Sequence, residues 1–141
     1  MKKIASIIDH TLLKADATDE DIKKLCDEAK RYNFASVCVN PVYVQWAKGF
    51  LAGCAIKVCT VVGFPLGAST TITKVSEAKD AIANGADEID MVVNIGALKS
   101  GNYQLVLDDI KAVRETTLGK VLKIIIEPAY LTKKEKINAC Q

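Results

Sequence analysis

Three apolar runs carry polar groups that an ordinary core strand excludes. In "EIDMVVN" Glu88 and Asp90 alternate with Ile89 and Met91, and in "VLKIIIE" Lys123 and Glu127 alternate with Leu122, Ile124 and Ile126. In "FASVCVN" Phe34, Ser36, Cys38 and Asn40 alternate with Ala35, Val37 and Val39. A lysine among such groups can do carbonyl chemistry. In a low-dielectric pocket near other cations, an amine loses its proton near neutral pH and adds to a carbonyl as a Schiff base. A neighbouring carboxylate then shuttles protons, and the iminium serves as an electron sink for carbon–carbon cleavage without a metal. The competing reading is structural: Asp90 and Lys123, on neighbouring strands, neutralise each other as a buried pair.

These side chains need strands to hold them, and the chain alternates strand and helix throughout. A short strand around Ser6 to His10 precedes a helix from about Thr18 to Tyr32, opened by Thr18 and Asp21 as a capping box with a shortened acidic partner. "FASVCVN" is the second strand, and Pro41 starts a helix running through Trp46 toward Phe50. "IKVCTVVGF" is the third strand, followed by a Gly/Pro loop and a helix from about Thr70 to Asn84. The fourth strand leads to a helical stretch from about Tyr103 to Thr116. The fifth leads to a helix opened by Thr132 and Glu135 as a second capping box. Units of roughly 30 residues with short connections suit parallel strands joined by helical crossovers.

Strand parity separates the two common parallel architectures. An open doubly wound sheet is covered by helices on both faces, so both should be apolar. A barrel strand turns one face to the helices and the other to an interior where enzymes place polar groups. The second, fourth and fifth strands are split in this way. The third is ambiguous, because Thr60 lies opposite Lys57 and Cys59. The expectation is an α/β fold, a partial (β/α)8 TIM barrel of roughly (β/α)5 with parallel strands, in a single domain over residues 1–141. Glu88, Asp90, Lys123, Glu127 and Cys38 would face its interior. A mononucleotide-binding α/β domain is disfavoured by the same parity and by the missing phosphate fingerprint.

The bulk properties narrow the class further. Half of the 141 residues are hydrophobic, with three prolines and eight glycines, so one packed core is expected rather than disorder. The 19 basic and 17 acidic residues leave +2, without a basic run that would serve nucleic acid. The opening "MKKIASIIDH" has the basic start of a signal peptide, but Asp9 cuts its apolar run short, and no other segment approaches a membrane span. The five cysteines (Cys26, Cys38, Cys54, Cys59 and Cys140) contain no CxxC pair, which argues against a disulfide framework or a zinc site and for a reducing cytoplasm. Most are expected as small core residues, with Cys38 near the site and Cys140 exposed and prone to intermolecular oxidation. His10 is the only histidine, so multi-imidazole metal sites are excluded, and a structural role is expected for it. "GFPLGAST" reads as a βα turn capped by Ser69 or Thr70 rather than a phosphate cradle. Trp46 and Phe50, at helical spacing, are expected as core contacts.

Five blocks carry a resemblance in order: "IDHTLLKADAT", "FASVCVNPVYV", "CTVVGFPLGASTT", "KDAIANGADEIDMVVNIGALKSG" and "LKIIIEPAYLT". Together they strongly resemble the 2-deoxyribose-5-phosphate aldolase family, whose fold is a (β/α)8 barrel. The resemblance implies class I, Schiff-base cleavage of 2-deoxyribose 5-phosphate to acetaldehyde and glyceraldehyde 3-phosphate, and the reverse addition. It implies no cofactor and no metal, and a small phosphorylated sugar or aldehyde as the binding partner. Position by position it makes Asp90 the proton-relay aspartate and Lys123 an accessory lysine, with Asp9, Thr11 and Cys38 at the active mouth. The family's Schiff-base lysine lies on the sixth strand, and its phosphate pocket on the seventh and eighth. No block of this sequence matches those parts.

A full barrel takes about 250 residues, and rarely fewer than about 200, so the chain is expected to stop before the sixth strand and to be inactive alone. The alternative function is a non-catalytic partial barrel. Either way, open first and fifth strand edges point to a homo-oligomer. Lys123 is not expected to replace the missing nucleophile, since carboxylate neighbours would hold it as an ammonium. Ala15 and Pro128 depart from the family's usual proline and threonine, and Pro128 would perturb the end of the fifth strand.

Overall fold

The computed structural model describes residues 4–141. The basic start of the signal-like opening, Met1 to Lys3, lies outside the described residues. Five strands, β1 (Asp9–Leu12), β2 (Ser36–Val39), β3 (Lys57–Val62), β4 (Glu88–Val92) and β5 (Val121–Ile125), form one parallel sheet in the order β1-β2-β3-β4-β5. Among the described residues six α-helices connect and follow them, two of them between β4 and β5: α1 (Asp19–Tyr32), α2 (Val44–Phe50), α3 (Thr71–Ala83), α4 (Ile95–Lys99), α5 (Tyr103–Thr116) and α6 (Lys133–Ala139). A doubly wound sheet must reverse its strand order at a switch point. This order runs straight through in chain sequence, as in a barrel. Two compact units are present, residues 1–61 with 80–88, and residues 62–79 with 89–141.

In the first unit, β1 pairs with β2 and β2 with β3, in registers that set Asp9 beside Ser36, Thr11 beside Cys38, and Cys38 beside Cys59. Registered neighbours share a face. This settles the third strand: Cys59 sides with Ser36 and Cys38, while Thr60 sides with Val39, whose carbonyl accepts its hydroxyl at 2.7 Å. The first strand begins later than expected. Ile4–Ile7 form a 3-10 turn, because Ile4, Ile7 and Ile8 recur at helical rather than strand spacing, and sheet pairing starts only at the Ile8 carbonyl. Helix α1 carries the expected capping box, Thr18 accepting from Asp21 N–H and Asp21 accepting from Thr18 N–H. The stretch from Pro41 is a 3-10 turn to Tyr43 before α2 begins. Trp46 is a correction, since it is 48% exposed and packs edge-on against Phe50, while Val44 and Ala47 turn to the core. Cys54 is exposed, against the expectation of a core thiol.

In the second unit, Val93, Leu98, Val106 and Leu131 form a buried cluster joined by Ile110, Ile124 and Ile126. This cluster fastens the Ile124 and Ile126 side of β5 to α5. Helix α4 was not foreseen, and Asn94 caps it by accepting from Ala97 N–H at 3.0 Å. The expected turn is confirmed after β3. Gly63 N–H donates to Glu77 at 2.7 Å, Gly67 N–H to the Gly63 carbonyl at 2.7 Å, and Thr70 caps α3 by accepting from Thr73 N–H. Gly67 has φ +66°, and a Cβ there would sit 1.9 Å from the Val93 carbonyl oxygen, so glycine alone fits. Pro128 opens a 3-10 turn three residues beyond the end of β5, a position where its missing N–H is not needed. The second capping box, Thr132 with Glu135, opens α6 as expected.

Candidate functional site

Which way each polar strand residue points follows from what the alternate residues touch. In the first unit, His10 Nε2 lies 2.7 Å from the Glu28 carboxylate on α1, and its ring packs 4.9 Å from that of Phe34. His10 therefore faces α1. Asp9 and Thr11, one residue to either side, face away from it. Asp9 Oδ1 accepts the Ser36 hydroxyl at 2.6 Å, and the Thr11 hydroxyl donates to the Asp9 carbonyl at 2.8 Å. Cys38, one register step along, is buried on the same face. Ser36 was not singled out as a site residue, although its parity with Cys38 in "FASVCVN" already placed it on that face.

In the second unit, Ile124 packs with α5, so its β5 neighbour Lys123 faces the other way. Val93 lies in the same cluster, and parity then turns Asp90 away from α5 as well. Lys123 Nζ stands 3.1 Å from Asp90 Oδ1, with side chains 34% and 16% exposed. That oxygen is buried and, although within ion-pair distance, accepts no hydrogen bond of good geometry. Glu127 adopts a left-handed backbone, φ +46°, just past β5, where a non-glycine residue costs about 1–3 kcal/mol. It lines a hollow with Pro65, Leu66, Ile95, Lys99 and Tyr130 at the C-terminal ends of β3, β4 and β5. The Lys99 ammonium in that wall donates to the Tyr130 carbonyl at 2.8 Å and pairs with Glu135 at 3.4 Å.

One buried pair was missed entirely. Lys74 on α3 is wholly buried, donating to Asp109 of α5 at 2.6 Å and to the Val92 carbonyl at the end of β4 at 3.1 Å. Its stem also packs beneath Gly63, where an added Cβ would meet Lys74 Cε at 2.9 Å. Helical lysines and aspartates are solvated by default. No periodicity marks these two as exceptions.

The arrangement is a carboxylate paired with an ammonium on the strand face opposite the helices, with a second carboxylate beyond the end of a strand. Such a set can hold a polar carbonyl substrate and move protons on it. Comparison with known proteins points the same way. The model of the DeoC/LacD family aldolases matches residues 3–139. A deoxyribose-phosphate aldolase of Geobacillus sp. (strain WCH70) is 61% identical over 139 residues, which are 98% of this chain and 62% of that protein. A protein from Coccidioides immitis, described as a deoxyribose-phosphate aldolase, superposes with TM-score 0.96 at 48% identity, over 97% of this chain and 54% of its own. The deoxyribose phosphate aldolase of Aeropyrum pernix, described as tetrameric, superposes with TM-score 0.80 at 34% identity, over 93% and 55%. The chain thus spans about three fifths of the curated relative and just over half of each solved structure.

Proposed function

Because the chain belongs to the DeoC/LacD family of aldolases, we propose that its five strands supply one side of a class I aldolase centre, acting on 2-deoxyribose 5-phosphate. Asp90 is the proton-relay carboxylate and Lys123 the accessory cation beside it. Asp9, Thr11 and Cys38 line the substrate pocket. The observation that carries this is the Asp90 carboxylate: half-buried, turned from the helices, with a buried oxygen that meets Lys123 by charge alone.

The same pair argues that the chain does not turn over by itself. Of the two lysines on its strands, Lys57 opens β3 at the end away from the strands' C-termini and is exposed. Lys123 is held against a carboxylate, and an ammonium is no nucleophile. The resemblance puts the family's Schiff-base lysine on a sixth strand and its phosphate pocket on the seventh and eighth, parts that no block of this sequence matches. A self-associating partial barrel without catalysis remains the second reading, favoured by the two ends of the sheet order, β1 and β5. A homo-oligomer in a cytoplasmic setting fits both. No helix of the described residues is long and apolar enough to cross a membrane.

A chimera tests the proposal. Residues 1–139 are joined to the part of the Geobacillus relative beyond the matched region, and cleavage of 2-deoxyribose 5-phosphate is followed. The chimera is expected to cleave, and Asp90→Asn to lower its kcat by about 10²–10⁴-fold, the usual worth of a positioned acid–base group. The unextended chain, given acetaldehyde and borohydride, is expected to show no reduced adduct by intact mass. An active chimera indifferent to Asp90→Asn, or an adduct on Lys123, overturns the assignment.

A further inference from the structure

Cys38 and Cys59 lie side by side on β2 and β3 as registered partners. Their sulfur atoms are within 4.8 Å of each other. Both are buried, Cys38 at 3% and Cys59 at 0% exposure. Neither packs under a helix: they occupy the face of Asp9 and Ser36, opposite the His10 face that meets α1. Both are buried core residues, but on the face away from the helix-side layer of Val37, Val39 and Val58, so they meet each other rather than a helix. No spacing motif announces the pair, because the register of two parallel strands, and not a CxxC turn, brings it together.

The distance decides what such a pair can hold. A thiolate–metal bond is about 2.3 Å for zinc, so one ion bridging two sulfurs spans up to about 4.6 Å. Two sulfurs in a site shielded from water select soft cations over hard ones. We propose that Cys38 and Cys59 form a dithiolate site for a single soft, thiophilic cation of the Cu(I) or Cd²⁺ class. On binding, two sulfur–metal bonds form, each thiol releases its proton to solvent, and no electron is transferred. Two protons per ion make affinity rise about 100-fold per pH unit below the thiols' own titration. The remaining thiols are separable from this site. Cys54 and Cys140 are exposed, and Cys26 is buried alone on α1, away from the registered β2–β3 pair.

The test uses the whole chain with Cys54→Ser and Cys140→Ser, titrated with Cd²⁺ alone while sulfur-to-cadmium charge-transfer absorbance is read. Saturation at one equivalent is expected, with the 100-fold pH dependence, and loss of the band in either Cys38→Ser or Cys59→Ser. To guard against misfolded variants, the chain with native cysteines is alkylated with and without Cd²⁺ and mapped by peptide mass. Protection of Cys38 and Cys59 together is expected. A band that survives both substitutions, absence of any band at one equivalent, or protection of only one of the two thiols overturns the proposal.

Discussion

Lys74 and Asp109 meet at 2.6 Å with almost no solvent contact, so removing either leaves the other as an uncompensated charge. Asp109 already carries a buried oxygen that accepts no hydrogen bond. Breaking such a pair from one side costs about 3–5 kcal/mol, while replacing both partners by apolar residues of similar volume is often neutral or better. Lys74→Ala is therefore expected to lower unfolding free energy by about 3–5 kcal/mol in urea denaturation, and Lys74→Met with Asp109→Leu to recover most of that loss. Equal losses in the single and double variants would show that packing beneath Gly63, and not charge, sets the role of Lys74. Its tie to the Val92 carbonyl also fixes the end of the strand on which Asp90 stands.

Helix starts carry the next set of expectations. Thr18 and Thr132 each close a capping box, and alanine at either should cost about 1 kcal/mol of stability. The partner carboxylates titrate accordingly. The Thr18 N–H and hydroxyl hold Asp21 below its ordinary value of 3.8, and the Thr132 N–H and hydroxyl hold Glu135 below 4.5. A carboxylate whose folded value is depressed contributes stability that is present above its unfolded value and lost as pH falls through the lower folded one. Both helix starts should thus loosen as pH drops below about 4, and side-chain carboxyl shifts followed by NMR should show each midpoint rising in its Thr→Ala variant. These boxes were readable because a helix start is written in four adjacent residues. Helix α4 was not, since its cap, Asn94, reads as the last residue of the strand run "EIDMVVN". The Asp90–Lys123 face was legible because parity needs only alternation. The side of Cys59 was not, because β3 is buried along nearly its whole length and its alternation is masked until the register with β2 is known.

At the scale of the molecule the sheet has two terminal strands, β1 and β5, and β5 is incompletely buried along its whole length, with Val121 48% exposed. Strand ends of this kind invite pairing with another copy. Light scattering is expected to give a mass at least twice 15.2 kDa, and a folded monomer at micromolar concentration would count against self-association. What could not be read from the sequence at this scale is the buried Lys74 pair, whose partners belong to different helices and meet only once both are packed.

A sheet laid down in chain order has one more consequence. Each strand finds its neighbour in the segment made just before it, so no residue need wait for a distant stretch before its first contacts form. Each pairing still spans a whole βα unit, 27 residues from Asp9 to Ser36 and 21 from Ser36 to Lys57, so every step must close a loop around its helix before the strands meet. Folding on the ribosome can advance strand by strand in the direction of synthesis, each new βα unit templated by the finished edge behind it.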